Sequence, residues 1–113
     1  MNRVAILVAL AAMLGHGAAQ AQDGPGDPAR GLVFAKQACA ECHGVEANSS
    51  RSPNSAAPTF KTIANLPGMT GTALTVWMQS PHPSMPMLMV PTEDRQNVIS
   101  YILTLKEKRA SAR

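Results

Sequence analysis

Apolar residues recur at helical spacing in two segments, one near each end of the chain. The first follows Asp27-Pro28, which is a typical helix start with an N-capping Asp and a Pro at the first helical position. We expect this helix to cover residues 28–38. In the second segment, Thr92 is placed to cap a last helix with an acidic first turn. Its apolar positions follow the i, i+3, i+4, i+7 pattern: Val98, Tyr101, Ile102 and Leu105.

The pattern is weaker between these two helices. Residues 44–58 are polar and rich in turn formers, which indicates a loop. A short helix fits residues 59–66, and a second one fits from Thr70 or Thr72 to about residue 80, with an apolar face. Four prolines within residues 80–91 exclude a helix there. Because no segment alternates like a strand, the predicted class is all-α.

The first 21 residues have the pattern of an export signal. A short positive stretch precedes an apolar run, Val4 to Leu14, which is well short of the roughly 20 residues that span a bilayer. Ala19-Gln20-Ala21 fits the small-x-small cleavage pattern. We therefore expect residues 1–21 to be a cleaved signal peptide, residues 22–113 to form one domain, and the mature protein to be periplasmic without a membrane span.

The composition favours a bound cofactor. The chain has one Trp, one Tyr and two Phe, so a small domain has little aromatic bulk for its core. A bound apolar cofactor would supply the missing volume. The formal net charge is +3, and no stripe of basic residues with interleaved aromatics is present, which argues against nucleic-acid binding.

The sequence Cys39-Ala40-Glu41-Cys42-His43 contains the only two cysteines. In a C-x-x-C-H motif the two thiols add to the vinyl groups of a haem, and the adjacent imidazole binds the iron. A disulfide between Cys39 and Cys42 would close too short a loop to stabilise the fold. The motif predicts one covalent haem c, with His43 as the proximal ligand.

The proline-rich segment offers the sixth iron ligand. Met85 lies between Pro83 and Pro86, and a rigid extended backbone can hold one thioether in place at little ordering cost. Met85 is thus the predicted distal ligand, and Met87, Met89 and His82 compete with it for this role. Ligation by His and Met raises the reduction potential and leaves the iron no open site. This argues for electron transfer and against an enzyme.

At these residues the chain resembles class I c-type cytochromes, in particular small bacterial monohaem cytochromes. The resemblance covers essentially all of the chain after the signal. The residues that carry it are Cys39 to Gly44, Ala57-Pro58-Thr59-Phe60, His82 to Pro86, Ile99 to Ile102, and Leu105.

The resemblance implies the cytochrome c fold, with three to four helices around one covalently bound haem. It also implies that the first and last helices cross, with Gly31 and Phe34 against Tyr101. The Pro58 carbonyl would accept the ring proton of His43. Trp77 would pack on the haem or donate its N–H to a propionate, although ordinary core packing explains it equally well.

Several functions fit these observations. The first is a soluble periplasmic electron carrier, monomeric, that exchanges electrons with protein partners. The sequence does not separate this role from that of a haem subunit dedicated to one exported dehydrogenase or oxidase. A periplasmic Cu(I)-binding protein would use the same methionines and cysteines, but it leaves His43 beside Cys42 unexplained. A thiol–disulfide oxidoreductase would need a βαβ context, which is not evident.

Overall fold

The structure is a computed structural model, and it describes residues 26–80, 85 and 89–108. The predicted signal peptide, His82 and Met87 lie outside the described residues. The described part contains four helices and no strand: α1, Pro28–Ala38; α2, Phe60–Ala64; α3, Gly71–Gln79; and α4, Thr92–Thr104. The all-α prediction is confirmed, and α1 has the predicted bounds.

Side-chain caps begin three of the helices. The Asp27 carboxylate accepts hydrogen bonds from the first turn of α1, at 2.8 Å from the Ala29 nitrogen. The Thr59 hydroxyl accepts from the Thr62 N–H of α2, and the Thr70 hydroxyl accepts from the Ala73 N–H of α3, both at 3.1 Å. Such caps satisfy backbone N–H groups that have no partner within the helix. Of the two threonines that could begin α3, Thr70 is therefore the cap.

The prediction that Thr92 caps α4 is wrong by one residue. The cap position is Pro91, and no side chain caps this helix. The Pro91 carbonyl accepts the first helical hydrogen bond, from the Arg95 N–H at 2.9 Å, so Thr92 is already helical. The acidic first turn, Glu93 and Asp94, is as expected and suits the positive end of the helix dipole.

Helices α1 and α4 cross at Gly31, as expected. A Cβ atom at Gly31 would lie 2.0 Å from the Asn97 carbonyl oxygen and 2.9 Å from the Tyr101 Cβ. Only a glycine permits this approach of the two backbones. Phe34, also on α1, is half-buried and packs against the hydrophobic core of the domain.

The start of the described chain is also attached to α4. The Asp27 N–H donates to the Asn97 side-chain oxygen at 2.7 Å, between residues 70 positions apart in sequence. A Cβ atom at Gly26 would lie 2.3 Å from the Gln96 carbonyl. The backbone that precedes α1 therefore lies directly on α4.

Helix α4 supplies the centre of the core. Its Val98 is 1% exposed, and Ile99, Tyr101 and Ile102 are buried beside it. Helices α2 and α3 pack on the same helix. Among the described residues, no helix is both long and apolar enough to cross a membrane.

Candidate cofactor site

The C-x-x-C-H motif forms a tight turn directly after α1. Cys39 is the C-cap of α1, and its N–H donates to the Ala35 carbonyl at 2.9 Å. The Cys39 carbonyl then accepts from the N–H groups of both Cys42 and His43, at 3.2 and 2.9 Å. The turn therefore places the two cysteines and the histidine next to one another on the end of a rigid helix.

Both thiols of this turn are free and half-buried. Burial raises the pKa of the Cys39 thiol to about 11. A thiol–disulfide oxidoreductase instead uses a cysteine whose pKa is depressed so that the thiolate can attack. At physiological pH the Cys39 sulfur is therefore a neutral thiol.

The His43 ring is oriented by the backbone of the following loop. Its Nδ1 lies 2.6 Å from the Pro58 carbonyl oxygen. Because a carbonyl only accepts hydrogen bonds, Nδ1 carries the proton in this contact, and the lone pair of the neutral ring is on Nε2. A histidine held in this way presents one defined nitrogen to a metal. The ring also contacts Phe60, with ring centroids 5.5 Å apart.

The loop that bears Pro58 is held against the motif by further hydrogen bonds. The Gly44 N–H donates to Ser52 Oγ at 2.9 Å, and the Gly44 carbonyl accepts from the Phe60 N–H at 2.9 Å. The Cys42 carbonyl accepts from the Asn54 N–H at 3.2 Å. We call these three bonds and the His43–Pro58 bond the proximal clasp.

Tyr101 connects this region to the core. Its hydroxyl donates to the Val45 carbonyl at 2.7 Å in a buried setting, and its ring centroid lies 6.4 Å from that of Phe60. Burial, with a smaller contribution from the nearby Glu46 carboxylate, raises the pKa of the Tyr101 hydroxyl. Tyr101 thus remains a neutral donor at physiological pH and fixes the segment that follows His43.

We expect Tyr101→Phe to lower the free energy of unfolding by about 1–2 kcal/mol, because the buried Val45 carbonyl loses its partner. Denaturant unfolding measures the change. Thr104→Ala is a suitable control. Thr104 is exposed, and its hydroxyl donates only a local hydrogen bond, to the Tyr101 carbonyl. Equal losses in the two variants would contradict a special contribution from the buried hydroxyl.

Residues 28–106, which include the motif and all four helices, match the family model described as Cytochrome c. This chain belongs to the cytochrome c family. The family binds covalently attached haem c, and one haem is typical of a domain of this size. No curated protein and no solved structure matches the chain.

The described residues of this cytochrome c fit a covalent haem. Two free thiols are available for thioether bonds, and the adjacent imidazole has its Nδ1 occupied and its Nε2 left for the iron. Within the described part, no cluster of three or more His, Cys, Asp or Glu side chains could hold a metal ion directly. The two thiols and the adjacent imidazole suit an iron held in a covalently attached porphyrin.

The residues predicted to contact the haem beyond the C-x-x-C-H turn and Pro58 differ in exposure in this cytochrome c. Met85 is half-buried, whereas the competing Met89 is 88% exposed. Trp77 lies on α3 and is 56% exposed, so it is not part of the protein core. His82 and Met87, which also compete with Met85 for the iron, lie outside the described residues.

One member of the site was missed by sequence reasoning. Ser52 belongs to the polar loop and, besides His43, is the one residue that joins the proximal clasp through its side chain. Ser49, Ser50 and Ser55 lie in the same polar stretch, and no local pattern separates Ser52 from them. Its partner, the Gly44 N–H, is identified only by the path of the folded loop.

Proposed function

We propose that this cytochrome c is a periplasmic single-electron carrier whose one haem iron is bound by His43 and Met85. The family supports a haem-based electron carrier that acts with redox partners. The observation that carries the finer proposal is the 2.6 Å contact between His43 Nδ1 and the Pro58 carbonyl. It orients the imidazole and leaves Nε2 for the iron.

The residues of the chain have distinct roles in this proposal. Cys39 and Cys42 form the thioether bonds, and His43 is the proximal ligand. The hydrogen bond from His43 to Pro58 raises the basicity of the imidazole. When bound, the haem supplies a one-electron couple between Fe(II) and Fe(III).

Met85 is the distal ligand in this proposal. Its half-burial supports this choice over Met89, whose side chain is almost fully exposed. A thioether favours the ferrous state, which raises the reduction potential. With protein ligands on both sides the iron has no site for oxygen or peroxide, and for this reason we propose a carrier rather than an enzyme. Trp77 is proposed to lie at the haem, as a packing surface or as a donor to a propionate.

Export through a cleaved signal of residues 1–21 and a monomeric state complete the proposal. The apolar run and the small-x-small site of the N-terminal segment support export. A free carrier purifies alone, whereas a subunit of an exported dehydrogenase or oxidase purifies with that enzyme. Affinity purification of the chain from its own periplasm distinguishes the two roles.

An absorption spectrum tests the proposal most directly. The chain is produced in a host that matures c-type cytochromes, and the periplasmic fraction is reduced with dithionite. We expect the sharp bands of a low-spin six-coordinate haem, which stays with the chain after denaturation and organic extraction. A folded, haem-free product from that host would contradict the proposal.

Single variants of the two cysteines test the thioether assignment. In Cys39→Ala or Cys42→Ala one vinyl group remains conjugated with the porphyrin, because only one thioether bond can form. We expect the bands of the denatured, pyridine-ligated haem to shift to longer wavelength in each variant. Ser49→Ala, in the same loop region, serves as the control. An unshifted spectrum in either cysteine variant would show that its sulfur does not bind the haem.

A further inference from the structure

Residues 42–44 are enclosed by the loop that follows them. A Cβ atom at Gly44 would lie 2.6 Å from the Arg51 carbonyl oxygen and 3.1 Å from Thr59 Cγ2. The loop backbone therefore passes directly over Gly44, the residue next to His43. A small change in the path of this loop moves the groups that contact the histidine.

Most of the proximal clasp is made by backbone groups. Two of its four bonds join backbone to backbone, and a third is the His43–Pro58 bond itself. The fourth joins the Gly44 N–H to Ser52 Oγ in a partly buried position. Ser52 thus provides the one side-chain contact of the clasp that attaches the loop without involving the histidine.

We propose that Ser52 is a positioning residue for His43. Its hydroxyl holds the loop on Gly44, and so keeps the Pro58 carbonyl within 2.6 Å of His43 Nδ1. Through that hydrogen bond Ser52 sets the basicity of the imidazole, and with it the balance between Fe(III) and Fe(II). This inference rests on the proposed function, because it takes His43 as the iron ligand.

The test compares three variants of the haem-loaded protein. In Ser52→Ala the His43 Nδ1–H is expected to exchange with solvent about fivefold faster, the factor that one ordinary hydrogen bond supplies. The redox equilibrium should shift towards Fe(II), because a less basic imidazole stabilises Fe(III) less. Ser52→Thr keeps the hydroxyl and should restore both values. Ser55→Ala changes an exposed serine of the same loop and should alter neither.

A purely structural serine would give a different result. If Ser52→Ala lowered the unfolding temperature but left the Nδ1–H exchange and the redox equilibrium unchanged, the proposal would be overturned. If Ser52→Ala does not fold, hydrogen exchange in the wild-type protein still tests the proposal. Exchange of the Gly44 amide and of His43 Nδ1–H should then respond equally to added urea, as one opening unit. Different urea dependences would overturn the proposal.

Failure of the proposed function is recognised separately. NMR of the reduced wild-type protein should show the His43 ring protons shifted by the ring current of the porphyrin. Unshifted ring protons would remove His43 as the ligand whatever the Ser52 variants do. If the ring protons are shifted but Ser52→Ala changes neither the Nδ1–H exchange nor the redox equilibrium, only the positioning role of Ser52 is contradicted.

Discussion

Met85→Ala is expected to lower the reduction potential by a few tenths of a volt, within the span of about 0.8 V that axial ligands set. The thioether stabilises Fe(II), and its loss leaves water or no ligand at the sixth position. The reduced protein should then bind carbon monoxide, which the wild-type protein excludes. A spectroscopic redox titration and carbon monoxide difference spectra measure the two effects.

Met89→Ala is the matched control, because the Met89 side chain is 88% exposed and lies in the same proline-rich segment. It should leave the potential and the low-spin spectrum almost unchanged. If Met85→Ala kept a low-spin, carbon monoxide-resistant haem, the distal ligand would be Met87, Met89 or His82, and our assignment would be wrong. Alanine variants of those three residues would then identify it.

Gly31→Ala is expected to lower the free energy of unfolding by about 3 kcal/mol, at the upper end of overpacking effects. The added Cβ would lie 2.0 Å from the Asn97 carbonyl oxygen, which is backbone and cannot rotate away. Helices α1 and α4 would have to separate, and α4 carries the centre of the core. The total free energy of unfolding of a native protein is about 5–15 kcal/mol, so this loss is a large fraction of the stability.

Gly71→Ala provides the comparison for this variant. Gly71 begins α3, and a Cβ atom there would meet its nearest neighbour, Leu103 Cδ1, at an ordinary 3.6 Å. We expect a change within about 1 kcal/mol, because alanine is the better helix former. Thermal and denaturant unfolding of the two variants give the difference. Equal stability of both would mean that the helix crossing tolerates a methyl group.

The terminal helices were predictable because their signals are local. Asp27-Pro28 caps and starts α1 by chemistry that depends on neighbouring residues alone. The Thr92 cap failed because Pro91 supplies the first helical carbonyl, and a one-residue shift of this kind depends on backbone angles.

The C-x-x-C-H turn after α1 was also predictable, since its five residues are contiguous in sequence. The partner of His43 was expected only through the resemblance, because Pro58 lies 15 residues further along the chain. Ser52 was not predicted at all. Its role depends on how a loop without periodicity folds back on Gly44, and residue types do not determine that path.

The attachment of the backbone before α1 to α4 has a consequence for the order of folding events. The partners of Gly26, Asp27 and Gly31 are near residue 97, so α1 has no helix to pack on until the residues of α4 are present. Contacts this distant in sequence close late. Before α4 packs, the two cysteines at the end of α1 would thus stay accessible for haem attachment, and packing of α4 would then close the fold around them.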